Sequence, residues 1–253
     1  MRAPRLALRG ENRSADQRAR WRTRQAPIVV LHDGLGSITQ WRGVPAMIAE
    51  DCGTAVMAFD RPGHGRSTPV PSGPWPVDWL HTQAVLLASM LDQLRLDGPL
   101  LVGHSDGGSI SLIHASTAAP HVSGVVALAA HSYVEPICVE EITAMRARAE
   151  PIMRGLSRHH EHPAAVFEAW SGVWVDETFA RWDIRADLAR IDVPVVVAQG
   201  ADDEYGTDAM AIDTAAAIGP NATCDFVAGV GHLMHHEAPE AVVELVRRAF
   251  VER

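Results

Sequence analysis

Six short apolar runs rich in β-branched residues recur from residue 27 onward, separated by longer segments with helical spacing. The runs are Ile28–Leu31, Thr54–Phe59, Leu100–Val102, Val122–Ala129, Val193–Ala198 and Thr223–Val227. A strand that is apolar along its whole length has both faces buried, and strands that alternate with helices build a parallel sheet covered on each side. The expected fold class is α/β, with a mostly parallel central sheet and helices on both faces. Each run leads into Gly, His, Asp or Ser residues. In such sheets ligands bind outside the carboxyl ends of the strands, so these are the positions to search for chemistry.

The chain has 253 residues, 47% of them hydrophobic and 21% charged, enough apolar material for a full core. Its net charge is −9 and it contains no lysine, which argues against a nucleic-acid partner. Residues 1–26 hold eight arginines against Glu11 and Asp16, so they are expected to form a basic, irregular arm outside the acidic body. An acidic body favours a neutral acyl substrate over a multiply charged one. Residues 1–26 lack the apolar core of a secretory signal, and their interspersed polar residues give no membrane span, so no membrane partner is expected. Cys52, Cys138 and Cys224 are far apart and odd in number, which fits a reducing cytoplasm. The sequence carries no mark of an oligomeric state.

The run at 193–198 is preceded by a stretch of different character. Residues 136–190 lack strand patterning, and Val166, Trp170, Val173 and Trp174 follow helical spacing. We expect a helical cap, or lid, inserted over the carboxyl edge of a core made of 27–135 and 191–253. Trp170, Trp174 and Trp182 either fasten this insertion to the core or line a pocket beneath it. Thr68–Trp79, with four prolines, is expected to be an irregular surface loop.

Gly103-His104-Ser105-Asp106-Gly107-Gly108 lies directly between a predicted strand and a predicted helix, Ser109–Ala119. G-x-S-x-G in that setting marks a nucleophile elbow, a turn so tight that the serine is strained and projects above the sheet. A Cβ at either Gly103 or Gly107 would collide with the neighbouring strand or helix. A serine hydroxyl needs a base, and the base needs a carboxylate to orient it. His232, in Gly229-Val230-Gly231-His232, falls between the last strand and the final amphipathic helix Pro239–Val251 and is the candidate base. His235 and His236 are expected to be loop or helix-cap residues. Asp203, three residues past Gly200, is the candidate carboxylate, with Asp202 and Glu204 as alternatives.

With the order Ser105, Asp203, His232, the sequence from Pro27 onward resembles the α/β-hydrolase superfamily. His32-Asp33-Gly34-Leu35-Gly36-Ser37 matches that family's HG-type motif, although Asp33 stands where glycine is usual. Asp60-Arg61-Pro62-Gly63-His64-Gly65-Arg66-Ser67 matches its D-x-x-G-x-G-x-S turn, to which a structural role belongs. The resemblance implies an oxyanion hole built from the backbone N–H groups of Gly34 and Asp106. Leu35, His131, Trp170, Trp174 and Leu233 are candidate pocket residues, His131 having a capping role as its alternative. His104 is expected to be buried packing, and His159-His160-Glu161-His162 a solvated loop, since it lacks metal-ligand spacing.

The expectation is a serine hydrolase acting on a small or medium-sized carboxylic ester, thioester or lactone, without cofactor or metal. The same three residues also serve C–C bond hydrolases, lyases, perhydrolases and acyltransferases on this fold. A non-catalytic ligand-binding receptor is the reading from a different class.

Overall fold

A computed structural model describes residues 27–69, 73–117 and 122–252 of the chain. Each of the six apolar runs overlaps a strand: β1 (Ile28–Leu31), β2 (Val56–Ala58), β3 (Leu100–His104), β4 (Gly124–Leu128), β5 (Val195–Gly200) and β6 (Ala222–Val227). They pair in the order β2-β1-β3-β4-β5-β6, and every pairing is parallel. From β1, inside the sheet, the chain steps outward to β2, then crosses back to β3. That reversal opens a crevice beyond the carboxyl ends of β1 and β3.

Strand alternation divides the apolar side chains between two cores. Val29, Leu31, Leu101, Val125, Ala127, Val195 and Val197 face one side, where α2 (Trp79–Gln93), α3 (Asp106–Ala115) and α8 (Asp208–Ile218) cover them. Ile28, Val30, Leu100, Val102, Val126, Val196 and Ala198 face the other, beneath α1 (Val44–Asp51) and α10 (Pro239–Glu252). In α10 the spacing of Val242, Leu245, Val246 and Ala249 places all four in the core, while Glu244 and Arg247 pair on the outer side. Each buried Val, Leu or Ile contributes about 1.5–3 kcal/mol of transfer free energy, which sets the sheet rather than local propensity as the framework.

The segment between β4 and β5 forms α4 (Pro136–Ala147), α5 (Ala149–Leu156), α6 (Pro163–Trp174) and the short α7 (Arg185–Leu188). Pro136 and Pro163 each open a helix, where the missing N–H costs nothing and the fixed φ is already helical. In α6, Val166, Phe167, Trp170, Val173 and Trp174 are buried along one stripe.

The described residues between Thr68 and Trp79 are irregular and mostly exposed, as expected of a surface loop, but its two tryptophans are not on the surface. Trp79 begins α2, Trp75 is buried, and Trp75 N–H donates to Ala169 O at 3.0 Å. The two indoles lie in contact, ring centres 4.5 Å apart, because burying their area outweighs the irregularity that the prolines impose. The basic arm at 1–26 lies outside the described residues. Among the described residues no helix is long and apolar enough to cross a membrane.

Candidate active site

Ser105 occupies the single-residue turn between β3 and α3, with φ 53° and ψ −120°. An L residue is rarely found there, and the surroundings hold it in place. Ser105 N–H donates to Leu128 O of β4 at 2.8 Å, while its own carbonyl accepts from Gly108 and Ser109 at 2.8 and 3.0 Å. The turn closes so tightly that a Cβ on Gly103 would lie 2.1 Å from Gly107 O, and one on Gly107 would lie 2.3 Å from Leu31 O. The expected collisions with helix and strand are thus the ones found.

His232 Nε2 lies 3.0 Å from Ser105 Oγ, and its Nδ1 lies 2.9 and 3.0 Å from the two oxygens of Asp203. A carboxylate only accepts, so Nδ1 carries the proton and Nε2 presents its lone pair to the serine hydroxyl. Asp203 is held after the turn off β5: its N–H donates to Gly200 O, and its Oδ1 also accepts from Tyr205 N–H at 2.8 Å. Of the other two carboxylates, Glu204 accepts the backbone N–H of His232 at 3.1 Å, and Asp202 is exposed. Burial opposes a charge on the His232 ring, but the hydrogen bond and charge of Asp203 prevail and raise its pKa above the ordinary histidine value. Burial likewise opposes the Asp203 charge, and the His232 ring more than offsets it, so that pKa is lowered.

The loop after β1 approaches Ser105 from the other side. Neither Gly34 N–H nor Asp106 N–H donates a hydrogen bond among the described residues. The loop is fixed through its other groups. Buried Arg61 donates to the carbonyls of His32 and Asp33, the second at 2.8 Å. His64 Nε2–H donates to Gly34 O at 2.9 Å, and Asp60 accepts from Ile38 N–H at 2.8 Å and Arg66 N–H at 3.2 Å. The turn at 60–67 therefore braces the loop at 32–38.

His160 differs from the solvated-loop expectation. It is buried, accepts Gly65 N–H at Nδ1 (2.9 Å) and donates Nε2–H to Leu35 O (3.0 Å). Two unpaired backbone groups on facing loops supply the reason, since an imidazole in one tautomer satisfies both. His104 is fully buried as expected, and its Nε2–H also donates to His232 O at 2.8 Å. His235 and His236 fall in a short helix, α9 (Met234–Glu237), with His235 buried.

A cavity of roughly 240 Å³ opens over Ser105 and His232. Leu35, His131, Trp170, Trp174 and Leu233 all line it. So do Cys138, Ile142 and Met145, which sequence reasoning did not single out although their i, i+4, i+7 spacing marks one face of a helix. Tyr205 was also missed; its ring centre lies 4.8 Å from that of His232. His131 Nε2–H donates to Tyr205 O at 3.2 Å, and burial pushes the ring's pKa down to about 4.

Residues 28–245 match the model of the Alpha/beta hydrolase family. The chain is 29% identical to a non-heme chloroperoxidase of Streptomyces lividans, over 88% of this chain and 91% of that protein. It is 26% identical to a bifunctional esterase/perhydrolase of Acinetobacter calcoaceticus, over 73% and 77% respectively. The enol-lactonase of Burkholderia xenovorans LB400 shares the fold with a TM-score of 0.69 at 19% identity, covering 91% of this chain and 93% of its own.

Proposed function

The chain belongs to the Alpha/beta hydrolase family, and from that premise we propose that it is a serine hydrolase cleaving a small or medium-sized carboxylic ester, thioester or lactone. The observation that carries this reading is the unbroken hydrogen-bonded line from Ser105 Oγ through both nitrogens of His232 to Asp203. His232 Nε2 takes the hydroxyl proton as Oγ attacks the carbonyl carbon, and Asp203 stabilises the imidazolium that forms. The N–H groups of Gly34 and Asp106 receive the oxyanion, an arrangement in which one donor is typically worth about 3–4 kcal/mol of barrier. His232 then protonates the leaving oxygen or sulfur, and an acyl-enzyme on Ser105 remains. Water, deprotonated by the same imidazole, releases the acid and restores the serine. Residues 136–190 act as the cap, whose apolar side chains receive the acyl group.

Kinetics on p-nitrophenyl esters of graded acyl length test the proposal. Wild-type protein should turn over at least one of them, with Ser105→Ala reducing kcat by about 10⁴-fold or more and leaving the thermal midpoint near that of the parent. Turnover that survives the substitution overturns the assignment.

The similarity to a non-heme chloroperoxidase and to an esterase/perhydrolase favours a second reading of the same site. Hydrogen peroxide in place of water would attack the acyl-enzyme, giving a peracid and free Ser105. Peracid formation in the presence of an ester and peroxide, lost in Ser105→Ala, distinguishes this from plain hydrolysis.

A further inference from the structure

We propose that Asp33, His104 and His235 form a binding site for one first-row divalent cation of the Zn²⁺ class, beside the Ser105–His232 pair. Each residue offers a ligand atom, and the three atoms lie within 4.8 Å of one another.

The hydrogen bonds around the cluster fix what each group presents. His104 Nε2 faces a carbonyl, that of His232, so it bears the proton. In the neutral ring this leaves a lone pair on Nδ1. That atom is buried, has no hydrogen-bond partner, and faces Asp33 Oδ2 at 3.5 Å. Asp33 Oδ1 is occupied by Leu35 N–H at 2.9 Å, which turns Oδ2 toward the ring. His235 Nδ1 is buried and likewise without a hydrogen-bond partner. The lone pair of His104 Nδ1 and Asp33 Oδ2 thus face each other in the interior with the His235 ring beside them, and lone pairs that face each other repel unless a positive charge lies between them.

Distance separates the two possible charges. A proton shared between an imidazolium and a carboxylate draws the heavy atoms to about 2.7–2.9 Å. Two ligands of one tetrahedral ion, with bonds of about 2.0–2.2 Å, stand about 3.4 Å apart. The observed 3.5 Å matches the second spacing. A proton between Asp33 and His104 would leave the buried Nδ1 of His235, whose ring packs against Trp41, without a hydrogen bond, whereas an ion engages all three residues. On binding, His235 would move inward to close a separation of up to 4.8 Å to about 3.4 Å, and water would supply the fourth ligand.

The outer contacts have the form that metal sites use. A ligating histidine donates its other N–H to a carbonyl or carboxylate, and a ligating carboxylate is itself hydrogen-bonded. His104 does the first toward His232 O and Asp33 the second from Leu35 N–H. Two imidazoles and one carboxylate suit Zn²⁺, Co²⁺ or Fe²⁺ better than Mg²⁺ or Ca²⁺, which prefer all-oxygen sites. The bound ion would fasten the loop carrying Gly34 to the loop carrying His232.

The test uses the full-length protein stripped with a chelator and titrated with Co²⁺ alone. We expect one equivalent to bind with the visible absorption of four-coordinate Co²⁺, Zn²⁺ to displace it, and the thermal midpoint to rise with Zn²⁺ concentration. Asp33→Asn and His235→Ala should each weaken binding at least about tenfold, with His162→Ala in the other histidine cluster leaving it unchanged. No saturable binding, or binding unaltered in both variants (an adventitious ion only), overturns the proposal. If a variant fails to fold, nitrogen-15 NMR of the wild-type protein decides. Protons on both His104 nitrogens, undisturbed by Zn²⁺, identify a simple ion pair and reject the metal site; loss of the Nδ1 signal's free character on adding Zn²⁺ supports it.

Discussion

Trp170 Nε1–H donates to Asp106 Oδ2 across 2.8 Å, and the two side chains meet against Gly34. A Cβ on Gly34 would lie 1.9 Å from the indole nitrogen and 2.4 Å from the carboxyl oxygen. Asp106 thereby joins three parts of the molecule. Its backbone begins α3 behind Ser105, its carboxyl holds α6 in place, and both bear on the loop that follows β1.

Gly34→Ala follows directly from that geometry. The methyl group has no room unless Trp170 or the loop gives way, so the hydrogen bond breaks or the Gly34 N–H shifts. We expect kcat on a p-nitrophenyl ester to fall about 10²–10³-fold, the range for a displaced oxyanion donor, with a much smaller change in thermal midpoint. Equal activity in Gly34→Ala and wild type would show that this N–H takes no part.

Asp106 also gives the site a pH dependence. Burial pushes its pKa up to about 7, against the opposing pull of Arg61 and the Trp170 N–H. The folded protein therefore keeps a proton that the unfolded chain releases near pH 4, and stability falls as pH rises from about 4 to about 7. The full effect is on the order of 4 kcal/mol. Asp106→Asn retains an acceptor for Trp170 and removes the titration, so urea midpoints should show a gain at pH 8 that vanishes near pH 4. In wild type, the carboxylate formed above about pH 7 would repel a nearby oxyanion, so a basic fall in kcat/KM should flatten in the variant.

On the proposed mechanism, the acidic side of the rate profile is set by His232. Proton acceptance requires the neutral ring; burial lowers its pKa, but the hydrogen bond and charge of Asp203 outweigh burial and raise it above the ordinary value. The acidic limb of kcat/KM should lie above pH 6.5, rising with pH. Asp203→Asn removes the charge that holds the proton and favours the wrong tautomer, so the limb should move down while kcat drops about 10⁴-fold. A limb that stays in place would assign it to another group.

Much of this arrangement is legible in the chain because its causes are local. The six runs stand out since both faces of each inner strand are buried, and Gly103, Ser105 and Gly107 stand out since one turn requires all three. Asp203 meets His232 because both follow strand ends at neighbouring positions in the sheet. What escaped the sequence depends on distant partners. His160 looks like one of several histidines in a polar stretch, and only the folded chain brings Gly65 and Leu35, 95 and 125 residues away, to its two nitrogens. Arg61 is one arginine among many until β1 and the turn at 60–67 enclose it, where burial lowers its pKa to about 10. Trp75 reads as part of a proline-rich loop because nothing local announces α6 above it.

The His160 contact provides a test of how the segment at 136–190 is joined to the loop beside Ser105. Its Nδ1 must be unprotonated to accept Gly65 N–H, and its pKa is lowered, principally by burial. The unfolded chain takes up this proton first, near pH 6.5. The stabilisation is therefore complete above that pH and is lost as pH falls toward the lower folded value. His160→Ala should cost about 1–3 kcal/mol at pH 8, for two buried hydrogen bonds, and progressively less at acid pH. His160→Gln carries one acceptor and one donor on a side chain that does not titrate, so it should recover part of the loss at pH 8 and show a shallower decline in acid. Urea unfolding of all three proteins at pH 8 and pH 5 measures both effects. A His160→Ala penalty that stays constant between the two pH values would mean that the tautomer observed here is not what joins α5 and α6 to the loop beside Ser105.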